Sequence, residues 1–236
     1  MNEILSNKKI NDKFYLMKVK NSAKCKMGQF VMVGTEDSSP LLSRPLAVFD
    51  SDSESITFLY QIVGKGTKKF SKMLKGQFVV VQGPNGNGFK EASGKIALIG
   101  GGTGIAPLYF AGKTLKENPQ NVVDAYLGFS SEEMLVDLYK RILNNVVVNV
   151  GGYIINDINV EDYDYIFACG PIIMMKLLYK ICKEKGVGER LYVSLESRMG
   201  CGIGLCLGCS IKTSKGNKRV CKDGPIFKAS EVFYEE

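Results

Sequence analysis

Four cysteines near the C-terminus, Cys201, Cys206, Cys209 and Cys221, form a C-x4-C-x2-C-x11-C run interleaved with Gly200, Gly202, Gly204 and Gly208. The first three thiols sit in one short loop, too close together to be shared among separate elements. Glycine lets a chain bend that tightly because no Cβ collides with the neighbouring backbone. This stretch is therefore expected to fold around something its sulfurs hold, rather than around an apolar core.

Plant-type [2Fe–2S] loops use the C-x4-C-x2-C spacing with a fourth cysteine further on. A cluster carrying negative charge needs backbone N–H groups turned toward its sulfurs, which accounts for the glycines. A structural zinc site is the competing reading, but zinc modules usually pair cysteines as two C-x2-4-C knuckles. Disulfides need an oxidising compartment, seven cysteines is an odd number, and the start MNEILSNKKI has no apolar signal core. The expectation is an iron–sulfur site, and with it electron transfer.

At 236 residues, 45% hydrophobic and 23% charged, the chain has room for two modest cores and an appendage. The long uncharged stretch from Ile96 to Gly112 is broken by Gly100, Gly101, Gly102, Gly104 and Pro107, which marks a nucleotide loop rather than a membrane span. A cytoplasmic location is the simplest expectation. The net charge of +7 comes from singly scattered lysines such as Lys8, Lys18 and Lys24, without interleaved aromatics, so no nucleic-acid partner is expected. Histidine is absent altogether. That removes the usual general base, the usual zinc ligand and every Ser/His or Cys/His pair. Cofactor-borne redox chemistry loses nothing by it.

From Ile10 to about Phe89 the pattern is one of short strands and turns: Phe14–Val19, Gln29–Val33, Ser55–Val63 and Phe78–Val81. Little helix intervenes, so a small antiparallel β-barrel is expected. Beyond it strands and helices alternate. Ile96–Ile99, Val122–Leu127, Tyr165–Ala168 and Leu191–Leu195 read as strands, with helices over Pro107–Glu117, Glu132–Leu143 and Pro171–Lys185. That alternation predicts a parallel sheet covered on both faces. The domains are read as 1–92, 93–192 and, for the cysteine segment, 193–236.

Gly102, Thr103 and Gly104 lie in a glycine loop between a strand and a helix, where a phosphate meets free N–H groups. The pattern G-G-G-T-G-I-A-P is not G-x-G-x-x-G, and alone it reads equally as a packing turn. Cys169, Gly170 and Pro171 make a second turn at the edge where open α/β sheets bind ligands, though Cys169 alone reads as a buried thiol. Arg44 ends a short strand, either as a bidentate pyrophosphate clamp or as a surface cation. Gly66 and Thr67 present N–H and hydroxyl groups, or form a simple turn.

Taken in order, these motifs resemble the ferredoxin–NADP reductase superfamily. Arg44, Pro45, Leu46 and Ala47 match its R-P-x-[ST] flavin motif, Gly102 to Pro107 its G-T-G-I-A-P loop, and Cys169 to Pro171 its C-G-P turn. The stretches Leu195–Gly204 and Arg219–Pro225 are more specific. They resemble the family of electron-transfer subunits of NAD-dependent (type B) dihydroorotate dehydrogenases, and the likeness covers nearly the whole chain. It implies a flavin-binding barrel, a parallel-sheet dinucleotide domain and a small [2Fe–2S] segment. It implies FAD contacts at Arg44 to Ala47, at Leu59, Tyr60 and Gln61, and at Gly66 and Thr67. It also implies cluster ligation by Cys201, Cys206, Cys209 and Cys221. One departure stands out: Ala47 occupies the Ser/Thr position, so no side-chain hydroxyl is offered there.

The resemblance further implies a partner subunit that oxidises dihydroorotate at FMN in a heterotetramer of two plus two, serving pyrimidine biosynthesis. Electrons would pass through the cluster and FAD to NAD+, with the partner docked against the cysteine loop. A flavin must stand between a one-electron cluster and a two-electron nicotinamide. NAD rather than NADP is expected, because Gly128–Glu133 carries acids and no arginine for a 2′-phosphate. The alternatives are a diaphorase or ferredoxin–NAD(P) oxidoreductase subunit of another complex, and a zinc-stapled nucleotide-binding module.

Overall fold

The computed structural model describes residues 1–37 and 39–235. Its first part holds β1 (Asn2–Lys9), β2 (Phe14–Lys20), β3 (Phe30–Gly34), β4 (Arg44–Ala47), β5 (Asp50–Ser51), β6 (Ser55–Gln61), the short helix α1 (Lys65–Phe70) and β7 (Phe78–Asn85). These seven strands form one antiparallel sheet in the order β4-β3-β7-β1-β2-β6-β5. The ladder stays open, with β4 and β5 at its ends. The sequence reading missed β1. Its residues NEILSNKK are mostly polar and only Ile4 is fully buried, so its strand character comes from pairing with β2 rather than from its own pattern.

The second part runs β8 (Lys95–Gly101), α2 (Ile105–Leu115), β9 (Val122–Phe129), α3 (Val136–Lys140), β10 (Asn145–Val150), β11 (Tyr165–Cys169), α4 (Ile172–Glu184) and β12 (Leu191–Ser194). Strands β10-β9-β8-β11-β12 pair in parallel in that order. Burial on both faces explains the unbroken apolar run of β8. In α4, Met175, Leu178, Tyr179 and Cys182 are buried at i, i+3, i+4 and i+7, the stripe of a one-sided helix. The helix expected over 132–143 is confined to α3, because Leu135 takes φ 60 and cannot join a right-handed helix. β10 was also missed.

The last part adds the hairpin β13 (Ser210–Thr213) and β14 (Gly216–Arg219), then α5 (Val220–Asp223), β15 (Ile226–Lys228) and α6 (Ala229–Val232). β15 pairs antiparallel with β12 and so becomes the edge of the dinucleotide sheet. The cysteine segment is thus welded to that sheet. One core joins the antiparallel sheet to the α2 side of the second sheet, where Phe89 stacks on Phe167 at 4.5 Å and Phe49 on Tyr109 at 4.4 Å. A second core lies on the α4 side and takes in Phe30 and Met32 of β3 with Cys209, Val220 and Cys221. Among the described residues no helix is long and apolar enough to cross a membrane.

Candidate functional site

The strand order turns at β8: the chain goes to β9 on one side and returns to β11 on the other. Ligands of open α/β sheets bind at the carboxyl ends of strands flanking such a switch. Here the Gly102–Gly104 turn and the Cys169–Pro171 turn abut. A Cβ on Gly104 would overlap the Cys169 carbonyl, and one on Gly101 would come within 2.9 Å of Pro171 Cδ.

Beside them opens a cleft of about 360 Å3 shared with the antiparallel sheet. Arg44, Pro45, Leu46 and Ala47 of β4 form one wall, and Leu59, Tyr60 and Gln61 of β6 continue it. Thr67, Thr103, Ala106, Pro107 and Cys169 also face it. Gly102, Gly104, Gly170 and Pro171 stand behind the surface they shape. Gly66 lies under Arg44, and a Cβ there would strike the guanidinium. The guanidinium itself donates to the carbonyls of Leu42 and Pro40. Thr67 takes up the turn reading while still facing the cleft. Its hydroxyl accepts the Val63 and Gly64 N–H groups at 3.0 and 3.2 Å and closes the 63–67 turn, so its first task is local. Tyr60 donates to Asn7 Oδ1 at 3.0 Å, and burial pushes its phenol well above the usual range.

Sequence reasoning missed one side of this cleft. Ser194 to Met199 run along it from β12 into the cysteine loop, with Phe30 and Pro225 beside them. The available signal was their place just past a parallel strand's C-terminal end. Cys169 is fully buried there, and burial, then the Glu196 carboxylate, push its thiol far up, against a hydrogen bond with Ser194. Glu196 opens to the cleft on one side, while the protein around it raises its carboxyl by desolvation. Ionisation therefore costs the folded state. Stability falls as pH rises from the unfolded value of 4.5 through the raised one, then levels off. Glu196→Gln removes this cost, so wild type and variant should melt together at about pH 4 and diverge by about pH 8, the variant being the more stable. An equal gap at both pH values would show that the carboxyl is not desolvated.

The four cysteines form two pairs. The Cys206 N–H donates to Cys201 Sγ at 3.4 Å, and the Cys221 N–H to Cys209 Sγ at 3.4 Å. N–H groups of Cys206 and Ile203 turned on Cys201 lower its thiol to about 6, whereas burial and the neighbouring Cys209 raise Cys221 to about 12. Among the described residues no group of three or more Cys, Asp or Glu side chains converges to hold a single ion. Two such pairs are the donor set a [2Fe–2S] cluster takes, two thiolates to each iron. Arg219 stands alongside, donating to both oxygens of Asp223 at 3.0 and 3.1 Å and to the Gly204 carbonyl at 3.3 Å. Ile203, Leu205 and Leu207 are 55%, 77% and 60% exposed around the outer pair.

Comparison with known proteins fits this geometry. Residues 196–233 match the family described as the iron-sulfur cluster binding domain of dihydroorotate dehydrogenase B. The dihydroorotate dehydrogenase B (NAD(+)) electron transfer subunit of Clostridium acetobutylicum is 39% identical over 99% of this chain and 97% of its own length. That of Clostridium perfringens is 37% identical over 98% and 96%. The solved NADH-dependent reduced ferredoxin-NADP oxidoreductase superposes with a TM-score of 0.89 at 30% identity, covering 100% of this chain and 90% of that one. A Neisseria gonorrhoeae ferredoxin NADP+ reductase with bound FAD and NADP shares the fold at a TM-score of 0.67 and 17% identity, over 84% of this chain and 93% of its own. A cleft at the sheet's switch point, four paired thiols beside it and full-length relatives agree, and the chain belongs to the family of dihydroorotate dehydrogenase B (NAD(+)) electron transfer subunits.

Proposed function

We propose that this chain takes electrons from a catalytic subunit that oxidises dihydroorotate at FMN and delivers them to NAD+, within a heterotetramer of two plus two. A [2Fe–2S] cluster supplies one-electron transfer, and FAD joins it to the two-electron hydride chemistry of the nicotinamide. One observation carries the reading. The segment lining the cleft through Met199 reaches Cys201 two residues later, and Pro225 of the cleft follows Cys221 by four. Flavin site and cluster site are then neighbours built from one stretch of chain.

The chain's own groups bind, orient and exclude water. Arg44 offers a planar fork to a pyrophosphate, and Gly66 leaves room for it. Leu46 and Leu59 give an apolar wall for a flavin ring, and Ala47, without a hydroxyl, offers it a backbone N–H. Gly102, Thr103 and Gly104 with Cys169, Gly170 and Pro171 shape the nicotinamide side. Cys201, Cys206, Cys209 and Cys221 hold the cluster, and ligation by thiolates requires a compartment that keeps thiols reduced, here the cytoplasm. Exposed Ile203, Leu205 and Leu207 form the surface on which the catalytic subunit docks, since the cluster must lie near its donor. Residues 1–92, 93–192 and 193–236 are the corresponding working domains.

Cys206→Ser tests this. The variant is expected to lose the broad iron–sulfur absorption and dihydroorotate-dependent NAD+ reduction, while NADH still reduces bound flavin. Partner-linked turnover persisting without the cluster would refute the order of carriers. A second reading, a ferredoxin–NAD(P) oxidoreductase subunit, draws support from the structural likeness at a TM-score of 0.89. Reduced ferredoxin serving as donor where dihydroorotate and its subunit do not would select it.

A further inference from the structure

The antiparallel sheet and the cysteine segment meet across a seam in which one side chain makes most of the directed contacts. Asn87 follows β7, between Gly86 and Gly88. Its amide Nδ2 donates to the Ile226 carbonyl at 2.8 Å and the Asp223 carbonyl at 3.2 Å. Its Oδ1 accepts the Ile226 N–H at 3.2 Å, and its own N–H donates to the Gly224 carbonyl at 2.7 Å. Gly86 lets the chains close to this distance, since a Cβ there would collide with Pro225.

The segment so gripped has two attachments. Asp223 is two residues past Cys221 and also holds Arg219. The Pro225 carbonyl accepts the Leu195 N–H at 2.9 Å, where the cleft wall begins. We propose that Asn87 is a positioning residue that sets the separation between the flavin cleft and the cysteine pairs, and so governs transfer between them without touching either. The inference rests on the function proposed above.

The chemistry at this position is restrictive. The site asks for two donors facing carbonyls and one acceptor facing an N–H, which a carboxamide supplies. A carboxylate only accepts and would meet the two carbonyls with like charge. Leucine has a similar shape and offers nothing. A second contact, Met32 of β3 against Gly202 (a Cβ there would come within 2.5 Å of Met32 Cγ), keeps the seam closed when Asn87 is changed. The variant should therefore fold.

The test uses Asn87→Leu and Asn87→Asp in the full chain, with flavin and iron contents measured first. Three hydrogen bonds from a side chain open to water are worth enough to raise local opening by about tenfold. Amide exchange at Ile226 should accelerate by about that factor, while exchange in β2 and β9 stays unchanged. In rapid mixing with NADH, flavin reduction should keep its wild-type rate and onward reduction of the cluster should slow several-fold. Asn87→Gln, which keeps donors and acceptor, should recover part of that loss. Unchanged exchange at Ile226, or unchanged onward transfer, overturns the proposal. So does a parallel fall of both steps with loss of cofactors, which marks a general folding role. A wild-type protein without iron–sulfur absorption refutes the proposed function before any variant is made, and this inference falls with it.

Discussion

Arg44→Ala is expected to release FAD on dialysis, with flavin affinity weakened about 10- to 150-fold, the equivalent of roughly 1.5–3 kcal/mol for a lost charge-assisted clamp. The argument does not rest on charge alone. Arg44 ends up in the cleft because β4 is an edge strand whose outer side faces the switch point of the second sheet. Its guanidinium is tethered to the Leu42 and Pro40 carbonyls, so it is held near the cleft without a carboxylate partner among the contacts described. Gly66→Ala offers an independent route to the same result. It keeps the charge and removes the space, since the added Cβ would occupy the guanidinium's position. Both variants should lower flavin content and leave the cluster absorption intact. Titration calorimetry or flavin fluorescence after dialysis measures this, and full retention of FAD in both variants would take Arg44 out of the site.

Both routes run through residues picked from the sequence by local pattern. The glycine loop and the C-G-P turn follow the strands expected before them, whereas Arg44 opens β4 instead of ending a strand, and Cys221 comes back to the other three cysteines only after the β13–β14 hairpin. The buried parallel strands were legible for a similar reason: β8 and β11 are uninterrupted apolar runs between turn residues. What stayed hidden depends on pairing over long separations. β1 is polar by sequence and becomes a strand only because β2 and β7 lie on either side. β15, a three-residue strand, is defined by its ladder to β12. Leu135 lies on the expected helical face, but its left-handed backbone cuts that helix short. Asn87 carries no motif, and Glu196 stands in the Leu195–Gly204 stretch with nothing there to show that it faces the cleft. Their places come from what the fold brings against them, whereas β10, with three consecutive valines, carries a strand signal of its own.

Gly104→Ala sets two local rules against each other. Gly104 has right-handed helical angles, φ −61 and ψ −13, and stands at the entry to α2. With such angles alanine would gain about 0.4–1 kcal/mol by restricting the unfolded chain. Space argues the other way. The new Cβ would overlap the Cys169 carbonyl and come within 2.6 Å of the Gly170 nitrogen, and both are backbone atoms. Neither can rotate aside as a side chain would. β11 is held by parallel ladders to β8 on one side and β12 on the other, so relief requires prying strands or α2 apart. Overpacking of this kind costs about 1–3 kcal/mol or more, which exceeds that gain. A net loss near 2 kcal/mol should lower the melting temperature by roughly 4–8 °C in a chain of this size. Because Thr103, Ala106 and Cys169 face the cleft from the two turns being separated, reduction of the flavin by NADH should fall too, with the cluster spectrum unchanged. Gly102→Ala is the control. Gly102 has φ +57 and nothing within 4 Å of the added Cβ, so its cost is backbone strain of roughly 1–2 kcal/mol without displacement of Cys169. It should lose stability while the Cys169 wall of the cleft stays in place. A rise in melting temperature for Gly104→Ala would mean that the two turns do not abut, and the nicotinamide side of the cleft would have to be sought elsewhere.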